Sequence, residues 1–250
     1  MNLIKLDAIN STNEFLKDNI QKTLSKELQV VYTFNQTKGK GQRGNSWESQ
    51  PEKNIAISLG LFPDNLKVEN QFTLSMLFSL FILNTLKSLK IPDLKIKWPN
   101  DIMSGNTKIC GILNEITVKG NIIESIIVGF GINVNQENFE NLPNASSLKL
   151  INNINYDLNK LVSLIIKNLK KYDYLSKSLR LLSNQELEDL NYSYHENLYK
   201  IGEKSQFTNK EKEIFIGKIV SVNKNGIIKI EKEDNSIMNY NFQEIQMIFK

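Results

Sequence analysis

The chain has 250 residues, 40% of them hydrophobic and 23% charged, which fits an ordinary soluble protein with one good-sized domain and a small one. Its single cysteine, Cys110, excludes an internal disulfide and suits a reducing cytoplasm. The net charge of +4 comes from lysines scattered among Asn and Ile rather than from basic runs, so it does not single out nucleic acid as a partner. The first residues, Met1-Asn2-Leu3-Ile4-Lys5, do not read as a signal peptide, and the most apolar window, 72–89, falls short of the roughly 20 apolar residues of a membrane span.

Residues 3–6 predict a short strand, and Ser11-Thr12-Asn13-Glu14 matches a capping box opening a helix with Phe15, Leu16 and Ile20 on one side. Leu28 to Phe34 is a strand rich in β-branched and aromatic residues. A glycine-rich basic loop follows, from Gln36 to Trp47, and then a second strand, Ile55 to Leu59. A long helix is predicted from about Val68 to Leu89, and a strand at 94–97 ends at Trp98-Pro99. Turns at Ser104-Gly105-Asn106 and Lys119-Gly120 divide a hairpin series that runs through Lys108 to Val118 and Ile122 to Phe130. Residues 135–155 read as a long irregular loop, 157–174 as a helix capped by Asp157, and 186–195 as another helix. Short strands at 214–222, 226–230 and 238–240, spaced by polar turns, predict a small all-β barrel, with the boundary between the two units at 195/196.

Four patches carry chemistry. The first is the loop, whose Gly39-Lys40-Gly41-Gln42-Arg43-Gly44 spells G-x-G-x-x-G. A dinucleotide fingerprint needs a helix to begin within that motif, and here a strand follows; the Walker and kinase patterns fail as well. Glycines alternating with cations still suit an anion, through free backbone N–H groups and nearby positive charge. The others are Lys97-Trp98-Pro99-Asn100-Asp101, Lys108 to Glu115 with Gly111, and Gly129-Phe130-Gly131-Ile132-Asn133. Taken singly, the lysines could be solvated strand ends, the glycines bulges and the tryptophans core residues. Cys110 reads as a small buried hydrophobe and His195, the only histidine, as structural, which argues against a His-based triad or metal site.

In this order, together with Ser11-Thr12-Asn13, the patches resemble the biotin–protein ligase family over nearly the whole chain. The resemblance implies an α+β catalytic domain, residues 1–195, with a mixed sheet flanked by helices in the manner of class II synthetases, and an SH3-like β domain, 196–250. It implies formation of biotinyl-5′-adenylate from biotin and ATP, then transfer of biotin to a lysine of a biotin carboxyl carrier domain of a biotin-dependent carboxylase. Ser11, Thr12, Asn13 and Gln36 would line the biotin head pocket. Gly39, Lys40, Gly41 and Gln42 would cover its carboxylate, and Gly111 and Gly131 would leave room for the flat ligand. Lys108, Arg43 and Lys97 are the implied catalytic cations, Lys108 touching both the biotin carboxylate and the α-phosphate. Arg43, Trp47, Lys97, Asn100, Asp101 and Asn133 would serve ATP, with Mg²⁺ on its phosphates.

Two positions depart from the family pattern. Gln42 and Asn45 stand where arginines are common, which removes charge from the loop. The chain also begins directly at the catalytic domain, without the helix-turn-helix of family members that act as repressors, so DNA is not an expected partner; nor, given the short apolar window, is a membrane. Two alternatives remain: a lipoate or octanoate transferase, whose Arg-Arg-x-x-Gly-Gly motif is absent, and a non-catalytic nucleic-acid-binding module.

Overall fold

A computed structural model describes residues 1–20, 26–140, 142–171 and 180–249. A seven-stranded sheet forms its centre, in the order β1 (Asn2–Leu6), β2 (Gln29–Thr33), β5 (Ile55–Leu61), β9 (Ile122–Ile132), β8 (Thr107–Lys119), β7 (Asp101–Ser104) and β6 (Leu94–Lys97). Only the β1–β2 pair is parallel. The two-stranded ribbon β3 (Gly39–Lys40) and β4 (Ser46–Trp47) closes the glycine loop, with a single 3₁₀ turn, Gln42–Gly44, at its tip.

The sheet has two distinct faces. Ile57, Leu59, Val128, Phe130 and Ile112 point to one side and join the main core with helix α2 (Gln71–Lys87). This helix is apolar around most of its circumference, the pattern of a buried helix, and it sits between the sheet and the helices α4 (Leu158–Lys171) and α5 (Asn184–Glu196). Phe78 and Phe81 meet Phe130 edge-on, with centroids 6.3 and 5.8 Å apart. In α4 the buried Leu158, Leu161, Val162, Ile165 and Leu169 recur at helical spacing. On the opposite sheet face, helix α1 (Thr12–Ile20) sets Leu16 and Ile20 against Val31 and Ile127 in a second, smaller core.

The tail forms a five-stranded antiparallel sheet in the order β13 (Ile237–Tyr240), β12 (Ile228–Lys232), β11 (Ile214–Val222), β10 (Lys204–Asn209) and β14 (Ile245–Ile248). Strands β10 and β14 lack the clear apolar alternation that marks β11 and β12, and the sequence reading missed both. The irregular stretch 135–155 contains a short helix, α3 (Leu148–Asn152), capped by Ser147. The long helix starts at Gln71 rather than Val68, because Val68–Asn70 is a 3₁₀ turn. Asp157 does cap α4, its Oδ1 accepting from Asn159 and Lys160 N–H. Positions 172–174 of that predicted helix lie outside the described residues. The capping box at Ser11 is half formed: Ser11 Oγ accepts from Glu14 N, while the Glu14 carboxylate pairs with Lys40. No helix among the described residues is long and apolar enough to cross a membrane.

The small sheet packs on the large one through specific polar contacts set in a shared apolar core. Trp98, in the β6–β7 turn and preceding a cis proline, donates its indole N–H to Gly226 O at 3.1 Å and meets Phe242 edge-on. His195 bridges α5 to β11: Nδ1 lies 2.7 Å from Asn191 O, and Nε2 accepts from Val222 N at 2.9 Å. That pairing requires the neutral ring with its proton on Nδ1, which is a structural role. Replacing Trp98 by Phe removes the indole donor and should lower stability by about 1–2 kcal/mol in urea unfolding, with an unchanged m-value.

Candidate active site

Antiparallel register places one row of residues straight across the sheet: Ala56, Gly131, Gly111, Asp101 and Lys97 are successive partners on β5, β9, β8, β7 and β6. Directly opposed residues share a face, so this row lies on the side away from α2. Lys108 and Gly111 are three apart, and simple alternation would send them to opposite faces. The pairing resolves this, because Ile102 pairs with Cys110 and Met103 with Lys108, leaving Ile109 as an extra residue. The bulge buries Ile109 and Cys110 in succession and returns Lys108 to the face of Gly111 and Asp101.

Two of the three implied cations meet there. Asp101 Oδ1 lies 2.7 Å from Lys108 Nζ, and its Oδ2 lies 3.8 Å from Lys97 Nζ. The side chains keep only 14% (Asp101), 22% (Lys97) and 33% (Lys108) of their exposure, so one carboxylate stands against two partly desolvated ammoniums. Burial pushes the Lys97 ammonium below its ordinary value; the Asp101 charge opposes this and the Lys108 charge adds to it. The local excess of positive charge is what an anionic ligand would neutralise. Cys110 is fully buried behind the row, and burial pushes its thiol up, so it is an inert core residue.

One step along the sheet, a second row holds Ser58, Gly129 and Leu113. Here Thr12 and Asn13 enter from the start of α1, both almost fully buried. Ser58 Oγ lies 2.7 Å from both Thr12 Oγ1 and Asn13 Oδ1. Asn13 Nδ2 donates to Glu115 Oε2 at 2.7 Å. Gln36 Oε1 accepts from Thr12 N at 2.9 Å. A Cβ at Gly129 would fall 2.2 Å from Asn13 Oδ1, so only glycine admits this side chain. Ser11, Thr12, Asn13 and Gln36 line a narrow cleft together with Lys40, Gly41 and Gln42 of the glycine loop. Its cavity volume is about 60 Å³.

Trp47 explains the narrowness. Its indole lies over Gly111 and Gly131, and added Cβ atoms there would come within 2.7 and 2.4 Å of it. The space that these glycines leave open holds the flat tryptophan ring. Gly39 is required for a similar reason, since a Cβ would sit 2.5 Å from Trp47 O. Lys108 Nζ stands 5.2 Å from the Trp47 ring centroid, a cation–π distance. Asn100 uses Nδ2 to fasten the β6–β7 turn to Ile112 O at 2.6 Å, and still borders the cleft. Gln42 is half-buried and lines the narrow cleft and a wider one beside it, whereas Asn45 is exposed, borders the wider one and bonds through its backbone to Gly41 and Gln42. The side chain of Arg43 lies outside the described residues.

Two wider cavities, of about 270 and 290 Å³, adjoin the narrow cleft at Trp47 and Lys108. One is bounded by Lys97, Asp101 and Asn133 with the loop 142–145. Asn133 is buried, donates Nδ2 to Ser146 O at 3.0 Å, and keeps an Oδ1 with no protein partner. Sequence reasoning missed Ser58, whose only signal was a hydroxyl inside an apolar strand, and left Glu115 without a role. It also missed Gln246 and Phe249 from the tail, which wall this cavity; Phe249 stacks on Tyr199 and lies 4.6 Å from Lys97 Nζ. No local pattern could have placed them. Gly131→Ala should displace the Trp47 indole. In a Trp98→Phe background, where Trp47 is the remaining tryptophan, fluorescence emission should move to longer wavelength, and an unchanged spectrum would refute the close packing.

The Biotin/lipoate A/B protein ligase family matches residues 6–133, just over half of the chain. The bifunctional ligase/repressor BirA of Bacillus spizizenii is 33% identical over 135 residues, 54% of this chain and 41% of that protein. Biotin--[acetyl-CoA-carboxylase] ligase of Mycobacterium tuberculosis is 28% identical over 144 residues, 56% of this chain and 52% of that one. The aligned region thus spans about half or less of these curated relatives. The biotin protein ligase of Aquifex aeolicus in complex with biotin and ATP superposes with a TM-score of 0.79 at 25% identity, covering 100% of this chain and 99% of that one. The Leishmania major enzyme in complex with biotinyl-5-AMP shares the fold, with a TM-score of 0.62 at 20% identity and coverage of 96% and 98%. The chain belongs to the biotin/lipoate A/B protein ligase family.

Proposed function

We propose that this protein is a biotin–protein ligase that first joins biotin to AMP and then transfers biotin to a carrier lysine. The observation that carries the reading is the position of Lys108, which borders the narrow cleft and both wider cavities while paired to Asp101. A carboxylate held in the narrow cleft and an α-phosphate held in the wider one would both be within the field of this ammonium. The names of the relatives favour biotin over lipoate, and the Aquifex aeolicus structure holds biotin and ATP together.

In the first step a biotin carboxylate oxygen forms a bond to the α-phosphorus and the bond to the pyrophosphate oxygen breaks. The carboxylate is ionised at neutral pH, so no general base is needed. The barrier falls through alignment and through cations that meet charge developing on the phosphoryl oxygens. In the second step the neutral amine of a carrier lysine attacks the acyl carbon, AMP leaves with the bonding pair, and the amine loses a proton. On this reading Ser11, Thr12, Asn13 and Gln36 hold the biotin head, and Gly39 to Gln42 cover the carboxylate, with Arg43 in the same loop. Lys97, Trp47, Asn100, Asp101 and Asn133 serve the nucleotide, the unpartnered Asn133 Oδ1 being a ready acceptor for an amine donor. The opening of the cleft to biotin requires the Trp47 indole to move.

Among the described residues no three His, Cys, Asp or Glu side chains gather to hold a metal. Asp101 is already engaged by two lysines, so Mg²⁺ would arrive on the ATP phosphates, where it offsets charge and orients the leaving pyrophosphate. We further propose that residues 196–250 act as a distinct small domain, that the acceptor is a biotin carboxyl carrier domain, and that the protein works in the cytoplasm, where the lone thiol of Cys110 is stable.

Purified protein given biotin, ATP and Mg²⁺ should release pyrophosphate and label a carrier domain on its lysine; absence of labelling refutes the reading. Lys108→Ala should reduce adenylate formation by about 10²–10³-fold while urea unfolding changes little. Because Lys97 loses its proton below the ordinary lysine value of 10.5, KM for ATP should rise with pH before that value is reached. Lys97→Arg, which stays charged, should flatten this alkaline rise; a rise of equal size in the arginine variant would dissociate it from Lys97.

A further inference from the structure

The hydrogen-bond chain beneath the narrow cleft has a direction, and its direction is set at one end. Glu115, as a carboxylate, can only accept. It therefore holds the Nδ2 of Asn13, at 2.7 Å, beside a longer contact from the same Nδ2 to Leu113 O at 3.4 Å, and turns Asn13 Oδ1 toward Ser58. Ser58 has one proton, and the 2.7 Å contact to Asn13 Oδ1 consumes it, since a carbonyl oxygen cannot donate. Ser58 Oγ then meets Thr12 Oγ1, also at 2.7 Å, only as an acceptor, so Thr12 must be the donor of that bond. Thr12 Oγ1 also lies 3.2 Å from Gln36 Oε1, the longer of its two contacts; with its one proton on the shorter contact to Ser58, it is left with lone pairs. Its backbone N–H meanwhile holds Gln36 Oε1 at 2.9 Å, which keeps Gln36 Nε2 as the donor end on the Gly39 side.

We infer that Glu115 is a positioning residue that fixes the donor–acceptor order of the head pocket through Asn13, Ser58 and Thr12. The resulting order, an acceptor at Thr12 beside a donor at Gln36, complements a cyclic urea, whose N–H donors flank a carbonyl acceptor. This inference rests on the biotin–ligase reading and deepens it by saying how the pocket is polarised. The four groups are buried or half-buried, and the surrounding sheet leaves them little room to reorient, since the Gly129 backbone lies directly against the Asn13 amide. A reversed chain would face Thr12 O–H toward the ligand N–H groups, donor against donor. Buried mismatches of this kind cost far more than the net gain of a satisfied bond.

The test is a set of four variants read by biotin titration calorimetry and by steady-state kinetics. Glu115→Gln can present either an acceptor or a donor to Asn13 and so releases the direction. It should raise the biotin Kd and KM at least tenfold, while kcat at saturating biotin and KM for ATP stay within about twofold. Asn13→Asp sets two carboxylates against each other and should weaken biotin more. The double variant Asn13→Asp/Glu115→Gln restores the original order, because the introduced amide now donates and the introduced carboxylate only accepts, including from Ser58. It should recover biotin affinity to within about threefold of the unmodified protein. Ser58→Ala, a small change if the carboxylate variants fail to fold, should cut biotin affinity at least fivefold with ATP unaffected. Unchanged biotin affinity in Glu115→Gln and Ser58→Ala, or a double variant no better than Asn13→Asp, overturns the inference alone. An unmodified protein that does not bind biotin overturns the functional reading, and the inference with it.

Discussion

The constraint on which the site depends is strand register. Ala56, Gly131, Gly111, Asp101 and Lys97 come from five strands separated by long stretches of chain, yet pairing puts them in one line on one face. A slip of one residue on any strand would send its member to the α2 side, into a core of Ile, Val and Phe. The buried apolar residues that alternate with the row therefore hold the register as firmly as the row itself requires. The same alternation forbids Lys108, which shares its parity with core residues Cys110 and Ile112, from reaching the site unaided. One extra residue, Ile109, removes that prohibition. A bulge is thus the structural means by which a strand otherwise committed to the core delivers an ammonium to the ligand face.

Charge at the end of the row follows from the same geometry. Asp101 and Lys97 are direct partners across a tight turn, and the bulge adds Lys108 on the other side of Asp101. Partly desolvated cations are costly to hold, and one carboxylate cannot compensate two of them. Burial first, and the Lys108 charge after it, lower the proton affinity of Lys97 against the pull of Asp101. A bound polyphosphate would relieve the cost, so the free protein stores an electrostatic preference for anions that internal pairing does not exhaust. The Trp47 indole lying against Lys108 and the two glycines keeps this region partly dry in the interim.

Much of this was legible in the sequence because the motifs are local. Lys97 to Asp101 is a strand end and turn, and Lys108 to Gly111 is half a strand, so spacing alone announced that they belonged together. The burial of Cys110 and the structural role of His195 were readable for the same reason. What was not readable depends on long-range pairing. The packing of Trp47 over Gly111 and Gly131 is one case, since nothing local says that its ring will lie there. Ser58 looked like a polar interruption in an apolar run, and its meaning appears only when β5 pairs with β9 and α1 lies across both. The bulge at Ile109 has no signature either, because two successive apolar residues suit a strand buried on both faces equally well.

The tail shows how far such long-range effects reach. Its turns hold Trp98, through Gly226 between β11 and β12 and Phe242 between β13 and β14, and its last residues return to the site, where Phe249 sets its ring against Lys97. Tyr199, stacked on Phe249, is itself tied to the β7–β8 turn by a hydrogen bond to Asn106 Oδ1 at 2.7 Å. The ring that contacts Lys97 is therefore held from two directions, by the small sheet and by the hairpin that carries Asp101. The small sheet also supplies Gln246 to the wall of the wider cavity, so that cavity exists only where the two sheets meet. Lys97 takes its burial from this junction and its counter-charge from the large sheet. Seating of the tail and the charge state of the cation it covers are consequently one coupled property: whatever loosens the tail rehydrates Lys97 and weakens the pull that a polyphosphate would feel.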